Sequence, residues 1–356
     1  MTTVKTKLLN KYGASARKRW MIDILPFNLL VWIVALIYIL PVGFMVVTAM
    51  MPTEQLGDRE APLYPAKVKS IVYNGISYKL YHVPTEEGVK EWALVDRGMT
   101  RSGFIDPQNP EAGLIEWQGD WTQLTWVYEF SPTWDNFKIL FNALPFPAMV
   151  GNSLLMVLIG EIGVLISSTL VAYGFARFSL PGGNLLFYIL IATILLPDKI
   201  TFIPSYYFFI RVLHWSNTLY PILLPLFFGN AVYIFLLRQN FKSISIELEE
   251  AAMLDGAGPL HRLFSVILPQ SWPVITTVAL LHFFYTWNET RQAAIYLTTS
   301  SKLLPVSFAV QNYQSLIRID NVIQASTIVV LAVPVVILFL TQRFFMQGLI
   351  ITGMEK

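Results

Sequence analysis

The sequence predicts an all-α polytopic membrane protein with six transmembrane helices and a small β-rich extracytoplasmic insertion. Three observations predict it. Of 356 residues, 54% are hydrophobic and only 13% charged, about half the charged share of a soluble domain. Long uncharged stretches recur along the chain. Residues 51–148, by contrast, form a composition island with 13 of the 23 acids and 8 of the 25 bases. The chain has no Cys, which excludes thiolate metal sites, iron–sulfur clusters and cysteine nucleophiles. A net charge of +2 carries no nucleic-acid footprint.

A membrane-crossing helix needs roughly 20 mostly apolar residues. Ile24 to Thr53 is uncharged, and Gly151 to Ala176 carries only Glu161. Phe178 to Pro197, Val212 to Leu237, Leu263 to Asn288 and Asn321 to Gln342 are uncharged. Spans are expected near 26–49, 151–176, 184–206, 217–237, 273–288 and 322–342. The fifth is short and has room to extend backwards into the preceding segment. Pro41, Pro221, Pro225 and Pro334 are tolerable inside spans, because neighbouring groups re-satisfy the freed backbone. A cleaved signal peptide is the rival reading of the first span, with Val47-Thr48-Ala49 as its cleavage site. The apolar run far exceeds the roughly 7–15 residues of a signal-peptide core.

Short loops rich in Lys and Arg face the cytoplasm. With the N-terminus inside, the inner side holds Lys5, Lys7, Lys11, Arg17, Lys18, Arg19, Arg177, Arg238, Lys242, Arg262, Arg343 and Lys356. The short outer loops hold Arg211, Arg291, Lys302 and Arg318. Both termini are therefore expected inside. The expected organisation is a cytoplasmic tail (1–25), a first span (26–49), the insertion (50–148), a five-helix core (149–345) and a cytoplasmic tail (346–356).

Within the insertion, Ile71-Val72-Tyr73, Asn74-Gly75 and Ile76 to Val83 read as a β-hairpin. Asn-Gly supplies the positive φ angles of a type I′ turn. Ile76, Tyr78 and Leu80 alternate with Ser77 and Lys79, as one buried face requires. Pro84 to Gly88 reads as a turn, Val89 to Val95 as a third strand and Gly113 to Trp121 as a fourth. The domain is either a spacer on the outer mouth or a docking surface for a partner protein; it shows no catalytic set.

The inner loop at 241–273 is the most informative segment. Ser243 can cap a helix, and Glu247, Glu249 and Glu250 suit the positive end of its dipole. Ala251 and Ala252 are small enough for another backbone to approach. Gly256 supplies the left-handed residue that stops the helix. Pro259 opens a second helix. Leu260, Leu263, Phe264, Ile267 and Leu268 then form one apolar stripe, and Pro269 and Pro273 end it.

This segment resembles the EAA loop of ABC importer permeases. Glu250-Ala251-Ala252, Gly256, Val266 and Leu268-Pro269 meet its pattern, with Val266 where Ile is usual. Asn152-Ser153, Ala172 to Phe178, Trp287-Asn288, Gln342 to Phe345 and Gly348-Leu349 resemble carbohydrate-uptake permeases, those similar to the second permease of the maltose importer. The likeness covers roughly residues 20–50 and 132–356; the outer insertion departs from the family's shorter loop. The resemblance implies the type I importer permease fold and a multi-pass location in a bacterial or archaeal inner membrane. It implies a second permease, two ATPase subunits and an extracytoplasmic solute-binding protein as partners, with a heterodimeric permease pair. Glu250, Ala251, Ala252, Asp255, Gly256, Leu268 and Pro269 would couple to the ATPase. ATP and Mg would bind in that subunit and no cofactor in this chain, which holds no G-x-x-x-x-G-K-[ST] run. Importers of another small solute, and an ion-coupled carrier, are the alternatives; no H-E-x-x-H or G-x-S-x-G run supports an intramembrane enzyme.

Intramembrane ionisable groups usually face a bundle interior or a water-filled cavity. Glu161 reads as a sugar-path contact or as a structural acid at the partner interface. Asp198-Lys199, between Pro197 and Pro204, reads as a break opening on a cavity or as local pairing near the outer surface. Tyr206, Tyr207, Trp215 and Trp287 read as sugar-stacking rings or as an interfacial aromatic belt. Asn288 joins Trp287 as a substrate-path candidate. His82, His214, His261 and His282 have no metal-ligand spacing.

Overall fold

The computed structural model describes residues 25–298, 301–316 and 319–353, without the side chains of 198, 199, 301 and 343–353. Most of the expected N-terminal tail, the last three residues of the C-terminal tail and Arg318 lie outside the described residues. The chain divides into two compact units, Met1–Leu140 with Ile319–Ile328, and Phe141–Arg318 with Val329–Lys356.

In the first unit, α1 (Leu25–Ala49) is a continuous apolar helix through Pro41, and its apolar length is exposed. Beyond it lie β1 (Ala66–Val68), β2 (Ser70–Tyr73), β3 (Ile76–Thr85), β4 (Gly88–Asp96), β5 (Arg101–Ile105), β6 (Ile115–Gln118) and β7 (Tyr128–Phe130). Strands β2 to β6 form an antiparallel meander, and β1 pairs with β7. That pairing joins the two ends of the insertion, Ala66 opposite Phe130. Asn74 and Gly75 have φ of 49° and 81°, the two positive angles of a type I′ turn, and Tyr73 pairs with Ile76 across it.

The sheet is buried on both faces, not on the one face that the alternation suggested. Leu80 and Ala93 pack with Val127 on one side; Tyr81, Val83, Trp92, Leu94 and Phe104 form a cluster on the other. Ile76 is exposed. The physical cause is the segment 121–127, which runs beside β3 and covers it: His82 N donates to Thr125 O at 2.9 Å and Val127 N to Leu80 O at 3.0 Å. Strand β5, which carries two small residues, Ser102 and Gly103, was not anticipated.

Two buried amides lock the base of this unit. Helix α2 (Asp135–Ala143) presents Asn136, whose Nδ2 donates to Ala49 O and Met51 O, both at 2.8 Å. Asn321 Nδ2 donates to Met51 O at 2.9 Å and to Asn136 Oδ1 at 3.1 Å. Satisfying buried amides in this way avoids the full desolvation penalty of an unpaired group.

The second unit is helical. It contains α3 (Phe146–Arg177), α4 (Gly183–Ile194), α5 (Asp198–Tyr207), α6 (Tyr220–Leu223), α7 (Ala231–Ser243), α8 (Ile246–Leu254), α9 (Pro259–Gln270), α10 (Trp272–Trp287), α11 (Arg291–Tyr296) and α12 (Val306–Leu316). Helix α13 (Asp320–Gly353) starts in the first unit and ends in the second, running on past 342 into the segment expected as a tail.

Among the described residues, four helices are long and apolar enough to cross a membrane: Leu25–Ala49, Phe146–Arg177, Tyr220–Ser243 and Asp320–Gln342. A fifth exists if α9 and α10 count as one span, but they meet at 83°. The backward extension of the fifth span is thus a sharp bend at Ser271. The expected third span is broken at Leu195–Pro197, and the fourth bends through a 3₁₀ turn, Leu224–Phe228, to Gly229. Gly229 has φ of 80°, a conformation that glycine adopts without side-chain strain. Asn230 then caps α7, accepting from Val232 N at 2.9 Å. Ser168 of α3 accepts from Asn230 N at 3.2 Å, so the broken backbone is satisfied by a neighbour.

Close approach to α3 depends on its glycines. A Cβ on Gly160 would stand 2.8 Å from Leu226 Cδ1, and one on Gly163 would stand 2.8 Å from Phe227 Cδ2. The core beside them joins α3, α7, α9 and α10 through Tyr173, Leu237, Phe241, Leu263, Ile267 and Val278. Leu263 and Ile267 are fully buried, each contributing roughly 1.5–3 kcal/mol.

Candidate functional site

The loop between α7 and α10 is built as a helix, a sharp turn and a second helix. Ser245 caps α8, its side chain accepting from Glu247 N at 3.3 Å. The cap expected at Ser243 is displaced because Ser243 ends α7 and its hydroxyl donates to Asn240 O at 2.7 Å. Gly256 has φ of 80°. Its N–H donates to Met253 O at 3.0 Å, and Ala257 N donates to Ala252 O at 2.9 Å. These two bonds are a Schellman stop. Gly258 and Pro259 then start α9.

Helix α8 is anchored by Glu249, which is 3% exposed. Glu249 Oε1 forms an ion pair with Arg177 Nε, and Oε2 accepts from the Tyr173 hydroxyl at 3.1 Å. Arg177 Nη2 also donates to Ile244 O at 2.8 Å. The last turn of α3 therefore holds the start of α8 directly. The sequence reading took Glu249 only for a dipole partner and missed this anchor. Its signal was Arg177, the one base closing a run whose only other charge is Glu161, facing a loop with four acids.

Glu250, Ala251, Asp255, Gly256 and Pro269 are exposed, while Ala252 and Leu268 are half-buried. The apolar stripe of α9 splits. Leu263 and Ile267 point into the core, but Leu260 is 61% and Phe264 63% exposed. The cause is a π-turn over Leu263–Ile267, which changes the angular step and turns Leu260 and Phe264 off the buried face. Leu254 is 90% exposed. An open groove of about 410 Å³ lies at the turn, lined in part by Ala252, Asp255, Gly256, His261 and Ser265. A groove of small and polar residues on a loop that also exposes Glu250, Leu254, Leu260 and Phe264 suits a protein partner.

The intramembrane candidates separate. Both carboxylate oxygens of Glu161 are buried without a hydrogen-bond partner among the described residues. One residue earlier, Gly160 faces His282, which is fully buried, with Nε2 3.2 Å from Thr286 Oγ1. Tyr206 is 39% exposed and stacks on Tyr296 with centroids 6.3 Å apart; Tyr207 is exposed. Tyr296 lines a cavity of about 180 Å³ with Phe202, Phe209 and Tyr285. Trp287 is corrected from stacking candidate to core residue: it is 1% exposed and its indole donates to Val330 O at 3.1 Å. Asn288 is exposed, its amide donating to Phe284 O at 2.9 Å. Trp215 stacks on Phe209 at 5.8 Å. The side chain of Asp198 lies outside the described residues.

Residues 134–351 match the model of a family described as binding-protein-dependent transport system inner membrane component. The chain is 31% identical over 215 residues to the sn-glycerol-3-phosphate transport system permease protein UgpE of Yersinia pestis, covering 59% of this chain and 74% of that one. It is 29% identical over 238 residues to a probable ABC transporter permease protein of Pyrococcus horikoshii, covering 65% and 84%. Among solved structures, a chain of a bacterial ABC transporter involved in the import of the acidic polysaccharide alginate superposes with a TM-score of 0.64 at 18% identity, covering 94% of this chain and 99% of that one. That likeness shows a shared fold.

Proposed function

The chain belongs to the family of binding-protein-dependent transport system inner membrane components, and from that premise we propose that it is one of two permease subunits in an ATP-driven importer of carbohydrate, oligosaccharide or glycoside. The observation that carries the reading is the loop at 241–273. Small residues, Asp255, His261 and Ser265 line a groove at a turn tied to α3 by the Glu249–Arg177 pair, and the exposed Glu250, Leu254, Leu260 and Phe264 lie on the same loop. In this reading the groove side takes an ATPase subunit, with Glu250, Ala251, Ala252, Asp255 and Gly256 at the contact. Closure of the ATPases on ATP moves α8, and the buried ion pair passes that motion to α3. Leu268 and Pro269 set the joint between α9 and α10. The six-span arrangement counts α4–α5 as a broken third span and α9–α10 as a bent fifth. Glu161 and Tyr206 belong to the substrate path. The similarity to the glycerol-phosphate permease favours a small phosphorylated solute as the second reading.

The chain purified from its native membrane is expected to bring down a second permease and two copies of an ATPase. Separated from them it should turn over no ATP, because it lacks a phosphate-binding loop. Uptake of labelled sugars by vesicles bearing the complex and its binding protein tests the substrate. ATP turnover by the isolated chain, or uptake confined to non-carbohydrate solutes, contradicts the proposal.

Orientation is testable because the chain has no native Cys. Glu86→Cys, at an exposed hairpin turn, and Lys302→Cys should react with an impermeant maleimide in intact cells. His261→Cys should react only after permeabilisation. Labelling of His261→Cys from outside would invert the topology.

A further inference from the structure

The first unit contains an open cavity of about 800 Å³ lined in part by Asp58, Arg59, Glu60, Tyr81, Trp121 and Trp126. That volume is in the range of small-molecule sites, and nothing in the coupling mechanism uses it. Its walls are fixed. On one side, Asp58 Oδ1 accepts from Glu60 N at 3.1 Å and Oδ2 accepts from the Tyr128 hydroxyl at 2.7 Å. Burial and the Asp58 hydrogen bond push the Tyr128 phenol far above its ordinary range, so this tie persists at any physiological pH. On the other side, Asp120 caps the turn Trp121–Gln123, accepting from Thr122 N at 3.0 Å and from the Thr122 hydroxyl at 2.6 Å. The floor is Tyr81, 6% exposed and edge-on to Trp121 at 6.5 Å. Cations hold both indoles: Lys79 Nζ is 4.5 Å from the Trp126 ring, and Arg97 Cζ is 5.4 Å from the Trp121 ring.

We propose that this cavity binds a neutral short oligosaccharide on the outer side of the membrane. A pyranose ring offers one apolar C–H face and a rim of hydroxyls. Flat indole and phenol rings match the face, and carboxylates, which are acceptor-only when ionised, match the hydroxyls. Arg59 and Gln123 add donors. A purely apolar ligand would displace water from the exposed Glu60 carboxylate without supplying a donor. An acidic saccharide or a phosphate would meet Asp58 and Glu60 in the lining with Arg59 alone to oppose them, since Lys79 and Arg97 sit on the indole rings and do not line the cavity. The inference rests on the carbohydrate reading above and adds a capture site separate from the membrane path.

The test uses the complete transporter in nanodiscs without binding protein. Maltotriose, cellotriose and xylotriose are titrated calorimetrically, with trigalacturonate as the acidic probe. At least one neutral trisaccharide is expected to bind saturably, and trigalacturonate at least tenfold more weakly. Trp121→Ala should weaken the neutral ligand at least tenfold. Glu60→Gln, an exposed and structurally mild change, should weaken it severalfold. Trp134→Ala, an exposed tryptophan outside the lining, should change nothing. Absence of neutral binding, or indifference of neutral binding to both Trp121→Ala and Glu60→Gln, overturns the proposal. Uptake of the same sugars is measured in parallel with binding protein present. Uptake without cavity binding sinks the cavity and leaves the importer; cavity binding without sugar uptake does the reverse.

Discussion

Arg177→Met and Glu249→Leu, made singly, are each expected to destabilise the protein by about 3–5 kcal/mol, because each leaves a buried charge without its partner. The two side chains are only 10% and 4% exposed, so water cannot substitute for the lost group. The pair made together should regain most of that stability, since well-packed apolar residues replace a buried ion pair at little cost. Uptake and binding-protein-stimulated ATPase activity should collapse in the single variants and return in part in the double one. Thermal unfolding of the four proteins in detergent gives the coupling energy directly; with two single costs of this size and a double variant near the parent, it is expected above the roughly 0.5–3 kcal/mol usual for groups in one network. Tyr173→Phe removes only the hydroxyl donor to the charged Glu249 and should cost about 1.5–3 kcal/mol, less than loss of either ion-pair partner. Additive single effects, or single variants with normal uptake, would mean that α8 is held by its apolar contacts and not by this pair.

What could be read from the chain depended on whether the signal was local. Asn74-Gly75 and Gly256 dictate their own backbone angles, and the turns stand where those residues stand. Uncharged length located α1, α3 and the first part of α13. Length alone did not locate the breaks. Pro197 and Gly229 were visible, but whether a proline or glycine bends or breaks a span depends on which neighbour satisfies the freed backbone. Here Ser168, sixty-two residues away, does so for Asn230. The same limit hid the two-faced burial of β3, which depends on the segment 121–127 folding back. It also hid the role of Glu249, whose neighbours Glu247 and Glu250 look identical in sequence and are exposed in the structure. Trp287 was misread because a tryptophan at a helix end suits both a belt and a core; only the position of Val330 O decides.

Gly256→Val is expected to abolish coupling while leaving the protein in the membrane. The cause is conformational: a Cβ at 256 meets nothing within 4 Å, so no clash occurs, but φ of 80° is left-handed. A side chain there costs roughly 1–2 kcal/mol, and a β-branched one more. The Schellman bonds from Gly256 N and Ala257 N would be lost or distorted, tilting α8 against α9. The core side chains Leu263 and Ile267 still hold α9, and the Arg177–Glu249 pair still holds the start of α8. Misplacement is therefore confined to the far end of α8 and the groove around Ala252 and Asp255. Gly256→Asn provides the control, since Asn tolerates the left-handed region better than other side chains. Uptake should fall in the order Gly, Asn, Val, with membrane levels unchanged. Glu250→Lys, an exposed position, should reach a similar loss with only a small change in thermal stability, because it reverses charge at the proposed partner contact and otherwise costs only the roughly 0.3–1 kcal/mol of a wrong charge near a helix start. If Gly256→Val and Glu250→Lys both keep full uptake and normal stimulation of the ATPase, the groove is not where the ATPase engages, and the coupling role proposed for 241–273 is wrong.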